Sequence, residues 1–181
     1  MARICIDPGH GLLRVKPRLF DPGAVHPPYR EADIVLDYAH RLRLACLSAG
    51  HEVVMTRQAD EDVAPLLGRV RHARAQRSDM LISLHTNAAV SREAHGIETL
   101  FKVSKDFATD LQRASVESIG LRDRGLKPRP LLAVLQFPGP CALIELGFIT
   151  NDDDRAVMLS PRTQDRFAAA IVAALDQGGW T

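Results

Sequence analysis

The sequence predicts an α/β fold with a mostly parallel, twisted central sheet of about six strands flanked by helices. Two observations lead to this prediction. Short runs rich in Ile, Val and Leu alternate along the chain with longer segments whose apolar residues recur at helical spacing. The 181 residues also suffice for one sizeable core, and no solenoid repeat or Ser/Gly-rich linker divides them. We therefore expect one domain that spans residues 1–181.

The predicted elements follow in order from the amino end. "RICID" is the first strand, and residues 31–49 place apolar side chains on one helix face, with Gly50 as the stop. The next elements are the strand "HEVVMTR", a helix around Leu66, Val70 and Ala73, the strands "MLISLH" and "GIETLF", a helix near residues 104–120, the strands "LLAVL" and "ALIELG", and a helical tail from Asn151 that ends in "FAAAIVAAL". Residues 11–30 are rich in proline and predict a long irregular loop that is functional or mobile.

Charge and cysteine content exclude several classes of protein. The chain carries 23 Lys and Arg against 22 Asp and Glu, a net charge of +1, so it has no electrostatic footprint for nucleic acid or an anionic membrane. Cys5, Cys46 and Cys141 lie far apart in apolar stretches and show no C-x-x-C spacing. We predict buried thiols rather than disulfides or a Cys-ligated zinc site.

The sequence contains no segment with the form of a signal peptide or a membrane span. The stretch before Asp7 is too short for the apolar core of a secretory signal, and the longest apolar run, residues 167–175, is far shorter than a membrane span. We therefore expect no integral membrane association, and accumulation in the cytoplasm until something else releases the chain. The sequence leaves the oligomeric state open, with a monomer as the default expectation.

Polar residues stand at or near the carboxyl ends of three predicted strands: His10, His85 and Glu145. In open α/β sheets these ends converge on one edge, where ligands bind. Two imidazoles and a carboxylate form a zinc site with a free fourth position, and a further carboxylate can act as general base. Glu31, at the start of the predicted helix, would complete the ligand set and leave Glu145 as the base. Asp33 is the rival ligand, and the spacing alone does not establish the site.

Eight motifs occur in order over nearly the whole chain: "IDPGHG", "DPGA", "READIVLDYAHRL", "TRQAD" with a downstream arginine, "LISLHTNA", "GIETLF", "RDRGLK" and "ALIELGFITNDDD". Together they resemble the catalytic domain of zinc-dependent N-acetylmuramoyl-L-alanine amidases, the Amidase_3 family. The resemblance implies a zinc enzyme that hydrolyses the amide between the lactyl group of N-acetylmuramic acid and the L-alanine of the peptidoglycan stem peptide.

The resemblance also implies roles for individual residues. It makes His10, Glu31 and His85 the zinc ligands and Glu145 the catalytic residue. Asn87 matches a family position near the site, and it is a candidate for substrate binding. Arg124, in "RDRG", is a second such candidate, because the resemblance places this segment near the groove, where a positive charge can meet a stem-peptide carboxylate.

Two departures from the family pattern affect the expected groove. The insertion "LLRVKPRLF" between "IDPGHG" and "DPGA" is longer than the usual link, and we expect it to reshape one wall of the groove. Only a short segment follows "GIETLF", where regulated relatives carry a blocking helix, so we expect an open site. The implied setting is a phage-type endolysin without a separate wall-binding domain.

Simpler interpretations stand beside these. Glu31 also suits the first turn of a helix through the helix dipole, and Glu145 can be explained by an ion pair with one of the arginines. We expect surface or loop positions for the other histidines, His26, His40, His51, His72 and His95, and a solvated turn for residues 122–124. The competing functions are a zinc peptidase that cuts within the stem peptide and a non-catalytic peptidoglycan-binding module.

Overall fold

A six-stranded sheet forms the centre of the computed structural model, which describes residues 1–180. The strands are β1 (Arg3–Pro8), β2 (Gly11–Arg14), β3 (Leu19–Asp21), β4 (Val25–His26), β5 (Tyr29–Arg30), β6 (Glu52–Met55), β7 (Met80–Asn87), β8 (Ile97–Phe101), β9 (Asp123–Pro128) and β10 (Cys141–Phe148). The helices are α1 (Glu31–Ser48), α2 (Leu66–Ala75), α3 (Lys105–Ile119), α4 (Asp152–Met158) and α5 (Pro161–Gln177), with a 3₁₀ helix at Ala133–Gln136.

The central sheet has the strand order β6-β1-β7-β10-β8-β9. Strands β6, β1, β7 and β10 run parallel, β8 is antiparallel to β10, and β9 is parallel to β8. The predicted α/β fold with a mostly parallel sheet is therefore confirmed. Because β1, β7 and β10 are parallel, their carboxyl ends meet at one edge, where the antiparallel β8 begins.

Two hydrophobic clusters hold the helices against the sheet. The larger one contains the buried faces of α1, α3 and α5, including the fully buried Tyr38, Phe107 and Phe167. Burial of each of the two phenylalanine side chains contributes about 1.5 to 3 kcal/mol. The smaller cluster lies under α2 and the 3₁₀ helix, around Leu81 and Leu143. On the sheet face that carries this smaller cluster, the residues nearest the carboxyl ends of β7 and β10 are polar.

Three predictions about individual elements were wrong. The segment "LLAVL" is not a strand, because it leads into the 3₁₀ helix, whose residues Val134 and Leu135 pack into the smaller core. The sixth strand is instead β9, in the segment predicted as a solvated turn; Asp123 and Arg124 belong to it. Residues 11–30 are also more regular than expected, since β2 pairs with β3 and β4 pairs with β5.

The cysteine prediction is confirmed, and one histidine departs from expectation. Cys5, Cys46 and Cys141 are all free and buried. His51 lies in the connection between α1 and β6 but is buried, because its Nδ1 accepts a hydrogen bond from the backbone N–H of Ala2. Within residues 1–180, no helix combines the length and the apolar character that a membrane crossing requires.

Candidate metal centre and active site

The candidate site occupies the sheet edge where β1, β7 and β10 end. His10 follows β1 after one residue, Gly9, and His85 lies near the end of β7. Glu145 of β10 is the register partner of His85 on one side and of Glu98 of β8 on the other. Residues that pair directly across strands project from the same face of a sheet. His85, Glu145 and Glu98 therefore form one row of polar side chains on the face that the helices leave open.

His10, Glu31 and His85 form a cluster with a shared carboxylate oxygen. Oε1 of Glu31 lies 2.9 Å from Nε2 of His10 and 3.0 Å from Nδ1 of His85. One ligand atom from each residue lies within 4.8 Å of the others. The structure thus brings together the three residues that the sequence proposed as metal ligands. Asp33, the rival ligand, instead pairs with Arg30 at 2.7 Å outside the cluster.

Glu31 is held as a carboxylate by its surroundings. It is buried at the start of α1, and its two oxygens also accept hydrogen bonds from the backbone N–H groups of Thr86 and Ala24, at 2.9 and 2.8 Å. Burial opposes ionisation, but the hydrogen bonds and charges of His10 and His85 outweigh it and hold the pKa of the Glu31 carboxyl well below its usual range. A buried anion between two imidazoles is a ready ligand for a cation.

Two glycines leave room for the cluster and account for the motifs around them. A Cβ atom on Gly9 would lie 2.3 Å from the ring of His85. One on Gly23 would lie 2.6 Å from both Glu31 and His10, and Gly23 has a φ of 68°. The glycines of "IDPGHG" and "DPGA" are therefore needed because the backbone approaches the ligand side chains too closely for any side chain.

Asp21 is a residue of this site that the sequence reasoning missed. Its Oδ2 lies 2.8 Å from Nδ1 of His10, and its Oδ1 accepts a hydrogen bond from the backbone N–H of Gly23. A carboxylate in this position fixes the tautomer of a metal-binding histidine and leaves the other ring nitrogen as the ligand. The available signal was its place in "DPGA", two residues before Gly23, the glycine that leaves room for Glu31.

Glu145 stands beside the cluster without a partner of its own. Its Oε2 is shielded from solvent and has no hydrogen-bond partner, and no arginine forms an ion pair with it within residues 1–180. The ion-pair interpretation of this residue is therefore not supported. Burial, together with the charges of Glu31 and Glu98, outweighs the histidines and raises the pKa of Glu145 to about 7. A carboxyl with this pKa can accept and return a proton near neutral pH.

Asn87 and Arg124 both contact Glu98, a second residue that the sequence reasoning missed. Oε1 of Glu98 accepts a hydrogen bond from Nδ2 of Asn87 at 3.1 Å, and Oε2 accepts one from Nε of Arg124 at 2.8 Å. The guanidinium of Arg124 also stacks over Phe148. Glu98 is an acidic residue inside an apolar strand, which is the same signal that identified Glu145. Arg124 is therefore an ordered, half-buried group, with its charge matched by Glu98.

An apolar cleft of about 290 Å³ opens beside the two histidines. Leu13 of β2 forms part of its wall, together with Leu66, Leu132 and Val134. Leu13 belongs to the insertion that follows "IDPGHG", so this segment does form one wall of a cleft at the site.

The donor set fits zinc. Two imidazole nitrogens and one carboxylate oxygen are the ligands of many catalytic zinc sites, which keep a fourth position for water or substrate. Asp21 supplies the outer carboxylate that such histidines ordinarily have. Sulfur ligands are absent from the cluster, in agreement with the buried positions of the cysteines.

Sequence comparison with known proteins matches this chain to N-acetylmuramoyl-L-alanine amidases. The family model of N-acetylmuramoyl-L-alanine amidase, Amidase_3, matches residues 4–177. The chain is 30% identical to the germination-specific N-acetylmuramoyl-L-alanine amidase of Bacillus subtilis, over 93% of this chain and 76% of that protein. It is 31% identical to the amidase LytC of the same organism, again over 93% of this chain, but spans only 34% of LytC.

The fold comparison agrees with the sequence comparison. The catalytic domain of the amidase CwlV from Bacillus (Paenibacillus) polymyxa var. colistinus superposes with a TM-score of 0.87 at 27% identity, covering 98% of this chain and 97% of that domain. The family match spans nearly the whole chain and includes every residue of the polar row and the metal cluster. The chain therefore belongs to the N-acetylmuramoyl-L-alanine amidases of the Amidase_3 family.

Proposed function

We propose that this chain is a zinc-dependent amidase that cleaves the bond between N-acetylmuramic acid and L-alanine in peptidoglycan, with His10, Glu31 and His85 as the zinc ligands. One observation carries the proposal. A His-Glu-His cluster with a buried glutamate and two half-buried histidines lies next to Glu145, a carboxyl that has no hydrogen-bond partner at Oε2 and a pKa raised to about 7. Metal-assisted amide hydrolysis requires a metal site and, next to it, a general base that can accept a proton near neutral pH.

Zinc held by the three ligands would polarise the amide carbonyl and favour deprotonation of water. Glu145 accepts the proton of the attacking water while the water oxygen bonds to the carbonyl carbon. Glu145 then returns this proton to the nitrogen as the C–N bond breaks. The products are the lactyl carboxylate and a stem peptide with a free L-alanine amino group. Asp21 holds His10 in one orientation throughout, through the contact to its Nδ1.

We place the substrate along the polar row and the adjoining apolar cleft. Asn87 and Arg124, fixed by Glu98 at the far end of the row, are proposed to contact the substrate, with Arg124 facing a stem-peptide carboxylate. The cleft walled by Leu13 lies at the opposite end, beside the histidines. This arrangement gives the groove one polar and one apolar end.

The proposed setting is a lytic enzyme whose site needs no activator. Strand β8 ends at Phe101 and α3 begins at Lys105, so the link between them holds no blocking helix. A phage protein, the endolysin of Bacillus phage SPP1, is 28% identical over 86% of this chain. The purified chain should therefore release fragments from cell walls without any added protein.

The experiment that tests the function is mass spectrometry of the fragments released from purified peptidoglycan, with Zn²⁺ supplied and, in parallel, with a chelator. Stem peptides that begin with free L-alanine, together with glycan that carries lactyl carboxylates, are expected only without the chelator. Fragments cut within the peptide would contradict the assigned bond and favour a zinc peptidase. A chain that binds walls and releases nothing would be a binding module.

A further inference from the structure

Two buried arginines outside the metal cluster converge on the turn that carries His10. Arg57 follows β6 and is 1% exposed, and Arg69 of α2 is 3% exposed. A guanidinium is costly to bury, and such residues are rarely found fully buried unless they are paired. Their positions therefore call for a structural reason.

Arg57 contacts both segments that carry the first two ligands. Its Nε donates to the carbonyl oxygen of Pro8 at 3.2 Å, and its Nη2 donates to the carbonyl of Gly9 at 2.9 Å and that of Ala32 at 2.7 Å. Gly9 precedes His10, and Ala32 follows Glu31. One planar side chain thus ties the His10 turn to the first turn of α1.

Arg69 completes the contacts on the other side of the turn. Its Nη1 donates to the carbonyl of Pro8 and to Oδ1 of the buried Asp7, and its Nη2 donates to the carbonyl of His10. Asp7 in turn accepts a hydrogen bond from Ser83 of β7, the strand that carries His85. Three successive carbonyls, from Pro8 to His10, therefore accept hydrogen bonds from the two arginines.

The backbone of His10 needs this support. Its φ of 62° lies in the left-handed region, which is unfavourable for a residue other than glycine. A strained conformation of this kind persists only where its surroundings over-determine it. The left-handed turn is also what delivers Nε2 of His10 to Glu31.

We propose that Arg57 and Arg69 are positioning residues that hold His10 and Glu31 in the arrangement required for metal binding before the metal arrives. The inference rests on the proposed metal site but not on the identity of the hydrolysed bond. Lysine retains the positive charge but lacks the planar fork that reaches several carbonyls at once. Arg57→Lys and Arg69→Lys therefore remove most of the hydrogen bonds to these carbonyls while they keep the positive charge.

The test measures Zn²⁺ affinity by competition with a chromophoric chelator, together with the free energy of unfolding of the metal-free protein. Each lysine variant should bind Zn²⁺ about 10-fold to 100-fold more weakly than the unmodified chain, the range typical for outer-sphere residues of metal sites. Ile171→Val and Ile171→Ala, in the buried core of α5, are matched controls that lower stability without touching the site.

The controls separate positioning from general stability. At equal loss of unfolding free energy, the Ile171 variants should keep their Zn²⁺ affinity within about twofold. If the arginine variants also keep their Zn²⁺ affinity, the two arginines serve stability only and the inference is wrong. If Arg57→Lys does not fold, Arg69→Lys decides the matter alone. An unmodified chain that binds no Zn²⁺ would overturn the metal site itself, whereas Zn²⁺ binding without amidase products would refute only the proposed reaction.

Discussion

Oε1 of Glu31 lies 2.9 Å from Nε2 of His10, so a carboxylate oxygen stands at hydrogen-bonding distance from a ring nitrogen of a proposed metal ligand. The same oxygen is 3.0 Å from Nδ1 of His85. A proton on either imidazole therefore competes with a metal ion for that ring nitrogen. This competition gives the first prediction.

Zn²⁺ binding should release protons and should weaken as the pH falls, because the histidines must be neutral to act as ligands. We expect the apparent affinity to fall by about tenfold or more between about pH 8 and about pH 6. Calorimetric titration in two buffers with different ionisation enthalpies measures the number of protons released. At about pH 6, where the imidazoles are largely protonated, binding without proton release would show that they are not the ligands.

Glu145→Gln should retain Zn²⁺ and lose most of its activity. The amide has the shape of the carboxyl but cannot accept a proton, and loss of a general base lowers kcat by about 10²-fold to 10⁴-fold. Glu31→Gln is the contrasting variant, since it should lose both the metal and the activity. Metal content by mass spectrometry and initial rates on purified peptidoglycan measure the two effects. Loss of Zn²⁺ from Glu145→Gln would show that the roles of the two glutamates were assigned wrongly.

The raised pKa of Glu145 predicts a pH-dependent stability of the metal-free protein. Its pKa is about 7 in the folded chain against 4.5 ordinarily. The folded state therefore favours the protonated form, and the stability that this form contributes is present below about pH 4.5 and lost as the pH rises through about 7. Glu145→Gln avoids this loss, so it should be more stable than the unmodified chain above pH 7 by about 1 to 3 kcal/mol.

Chemical denaturation of both metal-free proteins across this pH range measures the difference. The difference should shrink as the pH falls and level off below about pH 4.5, where the carboxyl becomes neutral in the folded and unfolded states alike. Titrating groups away from the site are common to both proteins and cancel in the comparison. A difference that does not vary with pH would mean that Glu145 has no raised pKa.

Asp21→Asn should weaken Zn²⁺ binding by about 10-fold to 100-fold, because the amide does not hold Nδ1 of His10 with a negative charge. Asp33→Asn is a matched control: it removes a carboxylate that the sequence offered as a rival ligand but that pairs with Arg30 instead. Chelator competition measures both affinities. If Asp33→Asn has the larger effect, Asp33 rather than Glu31 is the carboxylate ligand and the assignment is wrong.

These residues show where sequence reasoning succeeds and where it stops. His10, His85 and Glu145 could be predicted to converge because the carboxyl ends of parallel strands meet at one edge, and that edge is set by the topology. Asp21 and Glu98 act through contacts between segments that only the folded chain brings together. Arg57 and Arg69 carried no signal of burial, since arginine is ordinarily exposed.

Two of the wrong secondary-structure predictions, for "LLAVL" and for β9, also have local causes in the sequence. The run "LLAVL" is apolar enough for a strand, and periodicity cannot distinguish such a short run from a buried turn of helix. Strand β9 escaped prediction because "DRGLKP" contains charges, glycine and proline, which are typical of edge strands rather than interior ones. Only pairing with β8 identifies it as part of the sheet.

The insertion between "IDPGHG" and "DPGA" yields the last prediction, because its two ends have different surroundings. Leu13 lines the cleft beside the histidines, whereas Val15 is 55% exposed near the connection between β2 and β3. Leu13→Ser should therefore raise KM for cell-wall fragments several-fold and leave Zn²⁺ affinity unchanged, since it alters the cleft and not the cluster. Replacement of residues 15–18 by Asn-Gly, a strong two-residue hairpin turn, should leave kcat/KM within about twofold. Steady-state kinetics on a soluble muropeptide measures both variants. If Leu13→Ser behaves like the unmodified chain, Leu13 takes no part in substrate binding and the insertion does not shape the groove in the way proposed.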